Sequence, residues 1–261
     1  MNHYPVSISL GSFGADQVRQ CGQASFIQPL VHAGAQYIEL REELFVTPPD
    51  LAALGREIAA AELGCVYSSP IELWLADTAT PNPELARALA AAAACGACWL
   101  KVSLGHYRMN ADFKALSALL ADHPVHLLVE NDQTPQGGCI EPMVQFFTAA
   151  RVRGVAIGMT FDIGNWQWQA QSVLGAAAQL GQYVEYLHCK AVRLDNAGKL
   201  IAVAPGAHDY NLWSRVLRRL DPSVVRAIEY PLQSDDLAAL TKAQVTALAG
   251  LGFPEQVPAH V

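Results

Sequence analysis

Short apolar runs alternate with longer amphipathic stretches from one end of the chain to the other. Val6–Leu10, Gln36–Leu40, Cys65–Tyr67, Cys98–Val102, Val125–Val129, Val155–Phe161, Val184–Leu187 and Val224–Ile228 read as strands. Their apolarity is continuous rather than alternating, which suits strands covered on both faces. The stretches between them carry helical spacing and end signals. A first helical region lies around Phe26–Ala33. Thr47-Pro-Pro-Asp50 opens the next helix with a capping hydroxyl and prolines suited to a first turn, and Gly64 stops it. Asn82-Pro-Glu84 opens an alanine-rich helix ending at Gly96, and Asn110 caps one that runs to Leu120. Further helices are expected over Ser172–Leu180, over Leu212–Leu220 and from Ser234-Asp-Asp236 to about Ala249.

Eight β/α units with no composition break predict a closed (β/α)8 TIM barrel, one domain spanning residues 1–261. A doubly wound sheet would call for a glycine-rich phosphate turn after the first strand, and Gly11-Ser-Phe-Gly14 does not supply one.

Composition narrows the function classes. The 261 residues are 52% hydrophobic and 16% charged, enough apolar material for a large core. A net charge of −7 argues against a nucleic-acid partner, which selects for a basic face. Met1-Asn-His-Tyr-Pro5 leads straight into the first strand without a basic and apolar leader. The alanine-rich uncharged stretch from Ala88 to Leu100 is shorter than the roughly 20 residues a spanning helix needs. The expectation is a cytoplasmic protein without a membrane partner; a homo-oligomer is compatible with the sequence. Six scattered cysteines fit reduced thiols better than a disulfide framework. Cys95-Gly-Ala-Cys98 has no second pair to make a zinc site and reads as small buried thiols at a helix end.

The candidate chemistry lies at the strand ends. Leu127-Leu-Val-Glu130, Thr160-Phe-Asp162, Tyr186-Leu-His188 and Ala227-Ile-Glu229 each end on a residue able to ligate a metal. Parallel neighbouring strands bring such ends to one face of a barrel, where catalysis in this architecture takes place. Close, buried carboxylates repel one another unless a cation compensates them. Glu130, Asp162, His188 and Glu229 therefore predict one shared divalent ion. The oxygen-rich donor set favours Mn²⁺ or Mg²⁺, and the imidazole keeps Co²⁺ and Zn²⁺ open.

Those motifs, with Gln36-Tyr-Ile-Glu-Leu-Arg41, Phe161-Asp-Ile-Gly-Asn165, Leu187-His-Cys-Lys190 and Ile228-Glu-Tyr230, give the chain a resemblance to the xylose-isomerase-like barrel superfamily. The resemblance is to its sugar phosphate isomerase/epimerase group and spans essentially the whole barrel. It implies that Glu130, Asp162, His188 and Glu229 hold the metal and that Glu130 and Glu229 also move protons. It further implies a small carbohydrate substrate: a ketose, keto-sugar acid or sugar phosphate enolised through an enediolate that the ion stabilises. Epimerisation, aldose–ketose isomerisation and dehydration by β-elimination share that step and stay open. A non-catalytic sugar-binding barrel would be expected to have lost a ligand, and none is lost.

Substrate contacts are expected from Arg41, Lys101, Asn165, Lys190 and His208, with Arg193 as a further basic candidate; Arg forks and Lys point charges suit oxygen anions. Asn165 and Gln136 stand where the group often carries a histidine and a glutamate, so substrate positioning should differ. Trp166, Trp168 and His106 are open between pocket wall and packing.

Overall fold

A computed structural model describes residues 4–252. The strands in chain order are β1 (Val6–Ser9), β2 (Tyr37–Arg41), β3 (Gly64–Trp74), β4 (Trp99–Gly105), β5 (His126–Glu130), β6 (Gly158–Asp162), β7 (Val184–Cys189), β8 (Ala191–Leu194), β9 (Leu200–Val203) and β10 (Val225–Ile228). The helices are α1 (Ala15–Cys21), α2 (Ile27–Ala33), α3 (Leu51–Ala60), α4 (Leu85–Ala94), α5 (Phe113–Ala121), α6 (Ile140–Val152), α7 (Val173–Leu180), α8 (Ala207–Leu217) and α9 (Leu237–Gly250). Eight strands close into a parallel barrel in the order β1-β10-β7-β6-β5-β4-β3-β2. This is the expected (β/α)8 architecture.

The barrel has two apolar regions. The larger fills the space between strands and helices, with Leu40, Leu100, Phe146, Phe161 and Trp213 fully or nearly fully buried. The smaller lies inside the barrel and consists of Val66, Leu128, Tyr186, Val225 and Ala227, with Tyr37 and Trp99 packed against it. Tyr37 stacks on Trp99 with ring centroids 5.6 Å apart, and Trp99 tilts against Tyr186 at the same separation. This plug is the floor on which the polar residues at the strand ends rest.

Several element boundaries differ from expectation for local reasons. Asp50, not Thr47, caps α3 by accepting from the Ala53 N–H at 2.9 Å, and both prolines precede the helix. Asp112, not Asn110, caps α5 in the same way through Ala115. Between β1 and α2 the chain forms a short 3-10 helix (Leu10–Phe13), then α1, then a second 3-10 helix (Gln23–Phe26). The connection after β7 contains an antiparallel hairpin, β8–β9, and α8 begins at Ala207 rather than Leu212. Strand β3 continues to Trp74, well beyond Tyr67. Among the described residues no helix is long and apolar enough to cross a membrane.

Candidate metal centre

Parallel pairing sets the site. Asp162 on β6 is in register with His188 on β7, and His188 with Ala227 on β10, two residues before Glu229. Glu130 ends β5 on the neighbouring rung. Glu130, Asp162, His188 and Glu229 thereby each place one ligand atom within 4.8 Å of all the others.

Glu130 and Glu229 each have one oxygen tied down and the other turned to a common point, and both oxygens of Asp162 are held, Oδ2 by Lys190 at 2.6 Å. Glu130 Oε2 accepts from the Lys101 ammonium at 2.5 Å. Glu229 Oε1 accepts from Arg41 Nη1 at 3.0 Å. Asp162 Oδ1 accepts from the backbone N–H groups of Gly164 and Asn165 at 2.8 and 3.0 Å. Glu130 Oε1 and Glu229 Oε2 are left facing His188 Nδ1, each 2.8 Å from it. All three atoms are buried and none is aligned in a hydrogen bond. Buried oxygens crowded around one point call for positive charge, part of which the Lys190 ammonium supplies from 2.9 Å beside Glu229 Oε2. The donor set, three carboxylate oxygens and one imidazole nitrogen, fits a divalent ion.

The imidazole is oriented from behind. His188 Nε2 lies 2.7 Å from Glu39 Oε2, which also accepts from the Tyr186 hydroxyl at 2.8 Å. With Nε2–H donating to Glu39, Nδ1 presents its lone pair to the cluster, the usual carboxylate–histidine support of a metal ligand. Burial opposes ionisation of Glu39, but the charges of His188, Lys101 and Arg41 outweigh it and bring its pKa to about 2. Burial, reinforced by Glu229 and Glu130 and opposed by Lys190, pushes Asp162 up to about 7. Burial disfavours the charged form of His188, yet Glu229, Glu39 and Glu130 raise its pKa well above the ordinary value. Unbalanced negative charge thus holds protons in the cluster where a dication would otherwise sit.

The other expected site residues separate into two groups. Lys190 belongs to the cluster: its ammonium lies 2.6 Å from Asp162 Oδ2, 2.9 Å from Glu229 Oε2 and 3.1 Å from Asn165 Oδ1. Asn165 also donates to the Glu130-side backbone at Asn131, 2.9 Å away. Arg41 is shared between Glu229 and Glu43, and Lys101 is buried beneath Glu130. His208 is exposed on the first turn of α8. Arg193 pairs with Asp209, whose carboxylate accepts from the Gly206 N–H at the start of α8. Trp166 is fully buried against Phe161 and serves packing; Trp168 and His106 are half-buried. Of the cysteine pair, Cys95 is buried and Cys98 exposed, and neither forms a disulfide.

Sequence reasoning gave Glu39 no role beyond its place in the Gln36–Arg41 motif. The available signal was a carboxylate embedded in an apolar strand, which demands a buried partner. A cavity of about 290 Å³ opens beside Glu229 and is lined by Ser9, Arg41, Lys190, Tyr230 and Pro231. A larger cavity, about 750 Å³, lies outside the barrel between α1, α2 and the start of α9, far from these ligands.

No protein-family model matches the sequence, and no curated protein matches it. Solved structures do match in fold. A D-psicose 3-epimerase from Clostridium cellulolyticum H10, solved with D-tagatose, aligns over 95% of this chain and 99% of its own at TM-score 0.67 and 10% identity. The probable 3-DHS dehydratase AsbF of Bacillus anthracis aligns over 94% and 98% at TM-score 0.67 and 13% identity. The IolI protein, with a bound zinc atom, aligns over 95% and 99% at TM-score 0.69 and 13% identity. The chain shares the (β/α)8 barrel fold with these proteins.

Proposed function

We propose that this chain is a divalent-metal-dependent enzyme that isomerises or epimerises a ketose, keto-sugar acid or sugar phosphate by enolisation. The observation that carries the reading is the convergence of Glu130 Oε1, Glu229 Oε2 and His188 Nδ1, all buried and outside any aligned hydrogen bond, beside Asp162, with the Lys190 ammonium 2.9 Å from Glu229 Oε2. Three oxygens and one nitrogen favour Mn²⁺ or Mg²⁺, with Co²⁺ and Zn²⁺ compatible. When bound, such an ion polarises a carbonyl, acidifies the adjacent C–H and offsets the negative charge that develops on oxygen.

The chain's own residues supply the proton chemistry and the positioning. Glu130 and Glu229 come from strands separated by β6 and β7, so they meet the cluster from two sides. Glu130 removes the carbon-bound proton. Return by Glu229 to the opposite face inverts the centre, and return to the neighbouring carbon exchanges aldose and ketose. Lys190 and Arg41, at the cavity beside Glu229, orient substrate oxygens. The plug of Tyr37, Trp99 and Tyr186 keeps water from the inner side.

Dehydration is the second reading, and Lys190 is the observation that favours it. Glu229 can take the carbon-bound proton and pass it to the departing hydroxyl, which leaves as water while the Lys190 ammonium, 2.9 Å from Glu229 Oε2, hydrogen-bonds its oxygen. Product analysis separates the two: elimination builds an unsaturated chromophore, whereas epimerisation incorporates solvent deuterium at carbon with no loss of water.

Protein purified without chelator is expected to carry about one divalent ion per chain. Glu130→Gln should keep its fold and lose exchange of the carbon-bound hydrogen of ketoses in deuterated buffer, read by NMR. An exchange-competent Glu130→Gln protein would remove Glu130 from the role of base.

A further inference from the structure

The rim of the site has two chemically different sides. Arg41 and Lys190 border the cavity on the β1, β2 and β10 side. On the side of β3 and β5 stands Glu72, whose Oε1 accepts from Gln136 Nε2 at 3.1 Å. Residue pairing fixes its direction. Glu72 is in register with Ser103 on β4, and Ser103 with Glu130 on β5, so the three share a row and point to the same side of the sheet.

An irregularity in β3 creates this row. Between Ser68, paired with Lys101, and Glu72, paired with Ser103, β3 spends four residues where β4 spends two. A bulge of this kind beside a functional site re-aims a side chain. Its neighbours hold it there. Asn82 Nδ2 donates to the Glu72 carbonyl at 2.8 Å. A Cβ at Gly105 would stand 2.6 Å from the Glu72 Cβ and 2.4 Å from the Trp74 carbonyl oxygen, so glycine at 105 makes the room. Gln136 is equally fixed, on a turn in which Asp132 accepts from the Thr134 N–H at 2.7 Å and Gly138 donates to Thr134 at 2.8 Å. Gln133, on the same loop, reaches Asn165 at 3.3 Å. Among the described residues no protein donor meets Glu72 Oε2.

The geometry points to Glu72 and Gln136 as the specificity-determining wall of the site, reading the hydroxyl groups of a polyhydroxylated chain beyond the reacting carbons. A carboxylate with one oxygen braced by an amide and the other open accepts from hydroxyls, and the amide carbonyl offers a second acceptor. The same wall repels a carboxylate or phosphate, so an anionic end is directed to Arg41 and Lys190 across the mouth. This rests on the proposed sugar-enolising reading, and it adds the residues that measure substrate length.

Binding of two polyols that cannot be enolised tests it independently of turnover. With two adjacent oxygens at the metal centre, xylitol keeps three hydroxyls to offer the wall, whereas glycerol keeps one. Affinities of the manganese-loaded protein are read by ligand-observed NMR, with thermal melting as the check on folding. Wild type should prefer xylitol; Glu72→Gln should weaken xylitol about tenfold and glycerol less than about twofold, since a hydrogen bond to a charged group is lost. Gln136→Ala should act in the same direction and less strongly, giving a second route should Glu72→Gln fold poorly. Equal weakening of both polyols, unchanged xylitol binding, or a wild type without preference would overturn the assignment. A wild type that prefers xylitol through Glu72 yet exchanges no ketose hydrogen would instead remove the enolisation reading and leave the wall standing.

Discussion

His188 divides its two nitrogens between two tasks. Nε2 is held by Glu39 at 2.7 Å, and Nδ1 faces the carboxylates of Glu130 and Glu229. Glu39→Ala should therefore lower metal affinity about 10- to 100-fold while leaving all four ligands in place, measured by calorimetric titration of the metal-free protein. An unchanged affinity would reduce Glu39 to a charge-balancing residue. Metal binding should also depend on pH. Asp162, pushed up to about 7, and His188, raised above its ordinary value, both hold protons in the metal-free site at neutral pH. A ligating atom must shed its proton, so affinity should rise as pH increases through neutrality, with protons released on binding. Titrations in buffers of different ionisation enthalpy read that release directly. At this scale the four clustered residues were legible because each closes an apolar run. Glu39 was not, since its partner Tyr186 lies across the barrel and 147 residues away in sequence. Glu72 was hidden by its position beyond the expected end of its strand.

Among the elements, helix starts were the least legible part of the fold. Thr47 and Asn110 have suitable side chains, but only Asp50 and Asp112 stand at the non-helical residue whose carboxylate reaches the third N–H of the turn. The choice depends on where the backbone bends, and neighbouring polar residues make several positions equally acceptable. Asp112→Ala should accordingly cost about 1 kcal/mol, a drop of about 2–4 °C in thermal midpoint, whereas Asn110→Ala should cost far less. Strand β3 shows the same limit from another direction. Its run reads as finished at Tyr67 because Ser68-Ser69-Pro70 breaks the apolar pattern, yet these residues form the irregularity through which the strand continues to Trp74. The β8–β9 hairpin lies in the connection after the seventh strand, where the sequence reading placed no strand; both runs are short, and Arg193, Leu194 and Ile201 are exposed.

The whole molecule combines an insulated interior with a concentration of charge at one end. Glu39, Glu130, Asp162 and Glu229 are opposed by Lys101, Lys190 and Arg41, which leaves the carboxylates in excess by one. An ion that binds the folded chain and not the unfolded one must raise stability by mass action. At a free concentration 100 times its dissociation constant the gain is about 2.7 kcal/mol, or about 5–10 °C for a chain of this length. Chelator should reverse the shift, and a thermal midpoint indifferent to both would speak against a resident ion. The architecture was legible at this scale because eight repeats of the same hydrophobic rhythm leave few alternatives.

Tyr37, Trp99 and Tyr186 close the barrel from below, with Val66, Leu128 and Val225 filling the space around them. The molecule is therefore a cup rather than a tunnel. Whatever reacts at its floor leaves through the opening by which it came, so product and fresh substrate contend for one doorway. Under the proposed enolisation, product should therefore inhibit turnover competitively with substrate.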